Sequence, residues 1–169
     1  MFWTWSATQL TTLFFLTSTH RVNTLYRAPP SLADYTNGQV TFTLVTNKLQ
    51  YDQALQVCAD LLGGTLARID SEEANQAIRE FSITTWESAG WGDEWIGLHW
   101  RSKQTNGPRS LLWSDNCQDF DTSRYHDFKS GDDTLGATEF CYRIKPGFEW
   151  EVKTCAEKNS FICETRSSP

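Results

Sequence analysis

Apolar residues recur along the chain at two periods, and the switch between them marks out the elements. Val40, Phe42 and Leu44 alternate with threonines, the period of two of a half-buried strand, and Asn47-Lys48 then turns the chain. From Tyr51 the spacing changes. Tyr51, Ala54, Leu55, Cys58 and Leu62 fall at steps of three and four, which predicts a helix of about three turns with Cys58 facing inward and Gly63-Gly64 as its stop. A second helix is expected after Asp70-Ser71-Glu72-Glu73, where Asp70 with Glu73 reads as a capping box and Ser71 is an equally good cap. Ala74, Ala77, Ile78 and Phe81 form its buried stripe. Short strands follow at Glu94–Trp100, Leu111–Trp113, Phe140–Ile144, Phe148–Val152 and Ser160–Cys163, punctuated by turn chemistry at Asn106-Gly107-Pro108, Ser114-Asp115-Asn116 and Lys145-Pro146-Gly147. Gly97, inside Trp95-Ile96-Gly97-Leu98, marks a place where another backbone or ring comes close. Between Cys117 and Thr138 the pattern lapses into polar and acidic residues with a few aromatics, too long for an ordinary connector and of the kind that carries function.

Two early helices, then strands, then a long irregular loop describe an α+β domain with small antiparallel sheets. At 169 residues one domain is expected, and eight tryptophans give a large apolar load. Trp95, Trp100, Trp113 and Trp150 fall within strand patterns and are assigned to the core. The formal net charge of -6, with no basic run, excludes a nucleic-acid partner. Five cysteines without a C-x-x-C pair argue for disulfides in an oxidising compartment rather than thiolate metal binding. Spacing alone does not rank the pairings, and the odd cysteine, Cys117, is a free thiol, the link of a disulfide-bonded dimer or part of a different pairing scheme. Leu10 to Leu16 is largely apolar and is followed by Thr17-Ser18-Thr19, the order of a signal peptide, although no basic residue precedes it and no A-x-A site follows; the competing reading is a loose tail. No segment is apolar for the roughly 20 residues that span a bilayer. Residues 1–35 are therefore read as leader and linker, 36–165 as the domain and 166–169 as a tail.

Tyr51-Asp52-Gln53-Ala54 with Cys58, Leu66 to Ala74, Trp95-Ile96-Gly97-Leu98, Trp113-Ser114-Asp115 and the run from Cys155 to Phe161-Ile162-Cys163-Glu164 together resemble the C-type lectin-like fold over the whole of the expected domain. The resemblance implies pairing of Cys58 with Cys163 and of Cys141 with Cys155. It also implies a place for calcium, which sugar-binding members hold with oxygen ligands from the long loop and the next strand while sugar hydroxyls complete the shell. Glu139 matches one such ligand, two residues before Cys141. The other positions depart from the pattern. Trp150-Glu151-Val152 stands where the family has Trp-Asn-Asp, and Gly131-Asp132-Asp133 stands where a proline-containing tripeptide is usual. Valine has no lone pair, so only Asp133, Glu139 and Glu151 remain as metal ligands, and the first reading of Asp132, Asp133, Glu139 and Glu151 is as solvated loop carboxylates.

Tyr125, His126, Asp132, Asp133, Glu139, Glu149 and Glu151 are the candidate ligand contacts, with Trp86 and Trp91 as further aromatics; Phe128 is expected to anchor the loop, and His99 to be a strand histidine. No catalytic set emerges. Ser123, His126, Asp127 and Cys117 are hydrolase residue types, but no strand–turn–helix elbow or paired-histidine metal motif accompanies them. The reading is a secreted, extracellular recognition module that binds a glycan or an extracellular protein without the usual calcium–sugar site and without a cofactor. The alternative is a calcium-dependent carbohydrate-binding lectin with an altered ligand set.

Overall fold

The computed structural model describes the backbone of residues 32–36, 39–89, 92–102, 108–132 and 140–166, and side chains within residues 36, 39–81, 92–101, 108–132 and 140–166. Strands β1 (Leu32–Thr36) and β2 (Val40–Leu49) precede helix α1 (Tyr51–Leu62); the two-residue β3 (Thr65–Leu66) leads to helix α2 (Glu72–Ala89). Then come β4 (Glu94–Ser102), β5 (Arg109–Trp113), β6 (Phe140–Ile144), β7 (Trp150–Lys153) and β8 (Asn159–Arg166). The strands form one sheet in the order β1-β2-β8-β4-β6-β7, with β3 on β8 and β5 on β4. Pairings are antiparallel except at β4 and β8, which run parallel with Glu94 opposite Ser160 and Trp95 opposite Phe161. The sheet is thus mixed where antiparallel pairing was expected throughout, because β8, the last strand, inserts between β2 and β4.

Helix α1 keeps the bounds set by its apolar spacing, and Gly63 ends it at φ 64°, with Gly63 N donating to Ala59 O and Gly64 N to Cys58 O. At the start of α2, Ser71 is the cap: Ala74 N donates to Ser71 Oγ at 3.1 Å. Asp70 instead accepts from Arg68 Nε at 2.8 Å. The same Asp70 oxygen accepts from Arg124 Nη1 at 3.2 Å, so its carboxylate is committed to a tertiary contact before the helix begins.

Strand β4 buries both faces. Trp95 packs with Tyr51, Ala54 and Phe161 on the α1 side, while Ile96 and Leu98 pack with Ile78, Phe81 and Trp113 on the α2 side. Gly97 lies between them as expected: its N–H donates to Ala67 O at 2.7 Å, and an added Cβ would stand 2.7 Å from Leu66 O. Any side chain there would displace the segment that follows β3. Cys58–Cys163 and Cys141–Cys155 are formed, the pairing that the resemblance implied. The first spans 105 residues, and closing a loop of that length stabilises by roughly 4 to 5 kcal/mol on a chain-entropy account. Trp95, Trp113 and Trp150 are fully buried, whereas Trp100 is half-buried and borders a concavity of about 390 Å³ with Leu111 and Phe120. Trp100, opposite Leu111, sits toward the end of the hairpin where β4 leads into β5, away from the doubly covered middle of β4.

Candidate functional site

The segment after β5 is held across β7, and this places its side chains. Arg68 pins its base, donating from Nη1 to Asp115 Oδ2 at 3.1 Å and to Gln118 Oε1 at 3.0 Å, with its guanidinium 5.5 Å from the Trp113 ring centroid. Phe120, Tyr125 and Phe128 then gather edge-on around Trp150 at centroid distances of 6.4, 6.1 and 5.4 Å. Phe128 is the expected anchor, bridged to Trp150 in the backbone ladder. Trp150 N donates to Asp127 O at 2.7 Å and Lys129 N to Trp150 O at 2.9 Å, so the loop runs beside β7 as an added half-strand.

This alignment brings Lys129 against Glu151. Glu151 lies on β7 directly opposite Arg143 on β6. Arg143 donates to Glu151 Oε2 from Nε at 3.1 Å and from Nη2 at 2.6 Å, and Lys129 Nζ donates to Oε1 at 2.9 Å. Lys145 Nζ lies 3.6 Å from Oε1 and Lys153 Nζ 3.6 Å from Oε2. Burial alone would raise this carboxyl, but the hydrogen bonds from Arg143 and Lys129 and the nearby charges of Arg143 and Lys153 pull it down to about 2. Arg143 also pairs with Asp93 at 2.8 Å and with Glu157 at 3.7 Å, which fixes the guanidinium in place.

Beside Lys129 the loop opens into a concavity of about 330 Å³ lined by His126, Asp127, Phe128, Lys129, Ser130 and Gly131. Asp127 faces Arg79 at 3.7 Å and accepts from Tyr125 OH at 3.4 Å. His126 is exposed and donates from Nδ1 to Arg124 O at 2.8 Å. Ser123 Oγ donates to Asp121 Oδ1 at 2.6 Å, so neither residue is paired as a nucleophile with its base.

The candidate ligand residues therefore separate into three groups. His126 lines the concavity, and Glu151 lies at the centre of the cationic cluster. Tyr125 and Asp132 hold the loop together instead. Tyr125 is half-buried against Trp150, with burial raising its phenol. Asp132 Oδ2 accepts from Val152 N at 3.1 Å, and its carbonyl accepts from Tyr142 OH at 3.1 Å. Glu149 stands exposed in the turn between β6 and β7. Asp133, Glu139, Trp91 and the Trp86 side chain lie outside the described residues. His99 is buried in β4 and bonded through Nδ1 to Tyr51 OH at 3.2 Å; burial, with Arg101 nearby, lowers its imidazole to about 4. Cys117 is exposed and unpaired.

For calcium, Asp132 and Glu151 each have a carboxylate oxygen engaged by a donor of the fold, and among the described residues no three of His, Cys, Asp and Glu converge on one point. Lys129, Arg143, Lys145 and Lys153 are the residues that sequence reasoning missed. Their signal is the spacing of two between Arg143 and Lys145 and between Glu151 and Lys153, which puts each pair on one face of its strand. Among the described residues no helix is long and apolar enough to cross a membrane.

The family described as Lectin C-type domain matches residues 47–165. Rheacalcin-1 of Rhea americana is 30% identical over 122 residues, covering 69% of this chain and 81% of its own. The carbohydrate-recognition domain of the mouse scavenger receptor C-type lectin superposes with a TM-score of 0.63 at 25% identity, over 84% of this chain and 98% of its own. Human lithostathine superposes with a TM-score of 0.65 at 16% identity, over 83% and 92%, a likeness of fold.

Proposed function

The chain belongs to the C-type lectin domain family, and we propose that it is an extracellular recognition module that binds a carbohydrate or protein ligand without the calcium–sugar site. One observation carries this reading: the Glu151 carboxylate is enclosed by Arg143, Lys129, Lys145 and Lys153. A calcium ion at Glu151 would have to be accommodated among four positive charges, and Val152 offers it no side-chain oxygen in place of one. Among the relatives, the mouse domain's description as carbohydrate-recognising supports a glycan as the ligand. No catalytic role is assigned, since Ser123, His126 and Asp127 are each bonded to other groups and none of them is paired with the Cys117 thiol. Exposed Cys117 is available for a disulfide to a second chain, and the expected result on a non-reducing gel is a dimer band that disappears in Cys117→Ser.

A glycan array probed with the oxidised chain tests the reading, once with calcium and once with a chelator. Equal binding in both is expected. Binding abolished by the chelator would replace the reading with that of a calcium-dependent lectin of altered ligand set.

A further inference from the structure

Three lysines share one carboxylate at the edge of the loop concavity, and a stronger partner already holds that carboxylate. Arg143 grips Glu151 Oε2 with two N–H groups, and Lys129 bonds Oε1. Lys145 and Lys153, at 3.6 Å, are within ion-pair range but beyond hydrogen-bond length, so their ammonium donors remain available to a ligand. All three lysine side chains reach solvent, at 42%, 33% and 31% exposure for Lys129, Lys145 and Lys153. Among the described residues, Asp93 and Glu157 sit on Arg143, whereas Asp132, whose Oδ2 takes the Val152 N–H, and exposed Glu149 keep their charge beside Lys129. Lys129 also forms part of the 330 Å³ concavity, where the Ser130 hydroxyl, Asp127 carboxylate and His126 imidazole offer both donors and acceptors. That mixture suits hydroxyl groups, and a cavity of this size admits a sugar ring.

We propose that the concavity and the adjoining Lys129, Lys145 and Lys153 bind an acidic glycan, with a sulfate ester or carboxylate on the lysines and sugar hydroxyls against the 126–131 loop. The inference rests on the metal-independent reading above and gives that reading a ligand class. The overall charge of -6 sharpens the proposal, because the chain as a whole repels polyanions and only a local cationic site would retain one.

The test is binding of the oxidised full chain, in chelator, to immobilised dextran sulfate and to alginate, with neutral dextran and polyglutamate as comparisons. Binding to either acidic polysaccharide above both comparisons is expected, and which one binds tells a sulfate ester from a carboxylate. Lys145→Gln with Lys153→Gln should weaken it roughly tenfold and either change alone roughly threefold, whereas Lys48→Gln, the same charge step as either single change but at an exposed lysine of β2, should weaken it less than about twofold. Unchanged melting temperatures would tie the loss to the site. Failure to bind either polysaccharide, equal losses in the Lys48 variant, or binding to polyglutamate as strong as to the glycans would each overturn the inference. Calcium-free binding of a neutral glycan, untouched by the lysine changes, would overturn it while leaving metal-independent recognition standing; binding that requires calcium would remove both.

Discussion

The β4–β8 seam around Glu94 and the β7 surface around Glu151 each bury a carboxylate, at 1% and 7% exposure, with opposite consequences. Glu94 receives Gly92 N–H at 2.8 Å and Ser160 O–H at 3.0 Å on Oε1, and its Oε2 has no partner among the described residues. Burial dominates there and pushes the carboxyl up to about 8, against those two hydrogen bonds. Glu151 has four cations around it and is pulled down to about 2. Burial alone therefore does not decide what a carboxylate becomes. With neutral donors it is kept as an acid within the structure; with charged donors it is a permanent anion that organises a cationic surface.

Arg143→Ala breaks the comparison most severely, because it leaves Glu151 buried without its two-pronged partner. A loss of about 3 to 5 kcal/mol in urea denaturation is expected, and Arg143→Leu combined with Glu151→Leu should recover most of it, since it removes the stranded charge as well. Next comes the pH profile of stability. Glu94 has a folded-state value near 8 against an ordinary 4.5, so between them the native state holds a proton that the unfolded state has lost. Stability should accordingly fall as pH rises from about 4.5 through about 8, and Glu94→Gln should flatten that limb in melts run across the range. Glu151 has the reverse sign: its contribution is present above the ordinary carboxylate value and is lost as pH falls from about 4.5 through about 2, so Glu151→Gln should flatten the acid limb instead. The smallest effect belongs to Lys145 and Lys153. Each half-exposed amine should change stability by less than about 0.5 kcal/mol when replaced by glutamine, even if ligand binding suffers.

Much of the fold was legible because its signals are local. The three- and four-residue spacing from Tyr51 to Leu62 bounds α1, and Gly97 announced a close backbone approach that Leu66 O and Ala67 O supply. Disulfide pairing was legible only through the resemblance, since spacing does not rank the alternatives. Strand β3, two residues long, is too short to show a period, and β1 is recognised by its partner β2 rather than by its own pattern. The site was harder to read for a physical reason. Lys129, Arg143, Lys145, Glu151 and Lys153 come from a loop and two strands, and only the cross-strand register of Arg143 with Glu151, together with the loop lying along β7, brings them together. Tyr125, an aromatic in a polar loop that looked available for a ligand, packs its half-buried ring on Trp150, a contact that its local sequence does not announce.

The most direct test of the account is a thermal-shift titration of the oxidised chain with calcium, alongside Glu151→Gln. With Glu151 already held by Arg143 and the lysines, the account predicts no saturable stabilisation up to millimolar calcium. A saturable rise in melting temperature that Glu151→Gln removes would place the metal on this carboxylate, since a ligand of the native state stabilises by mass action, and would contradict the account.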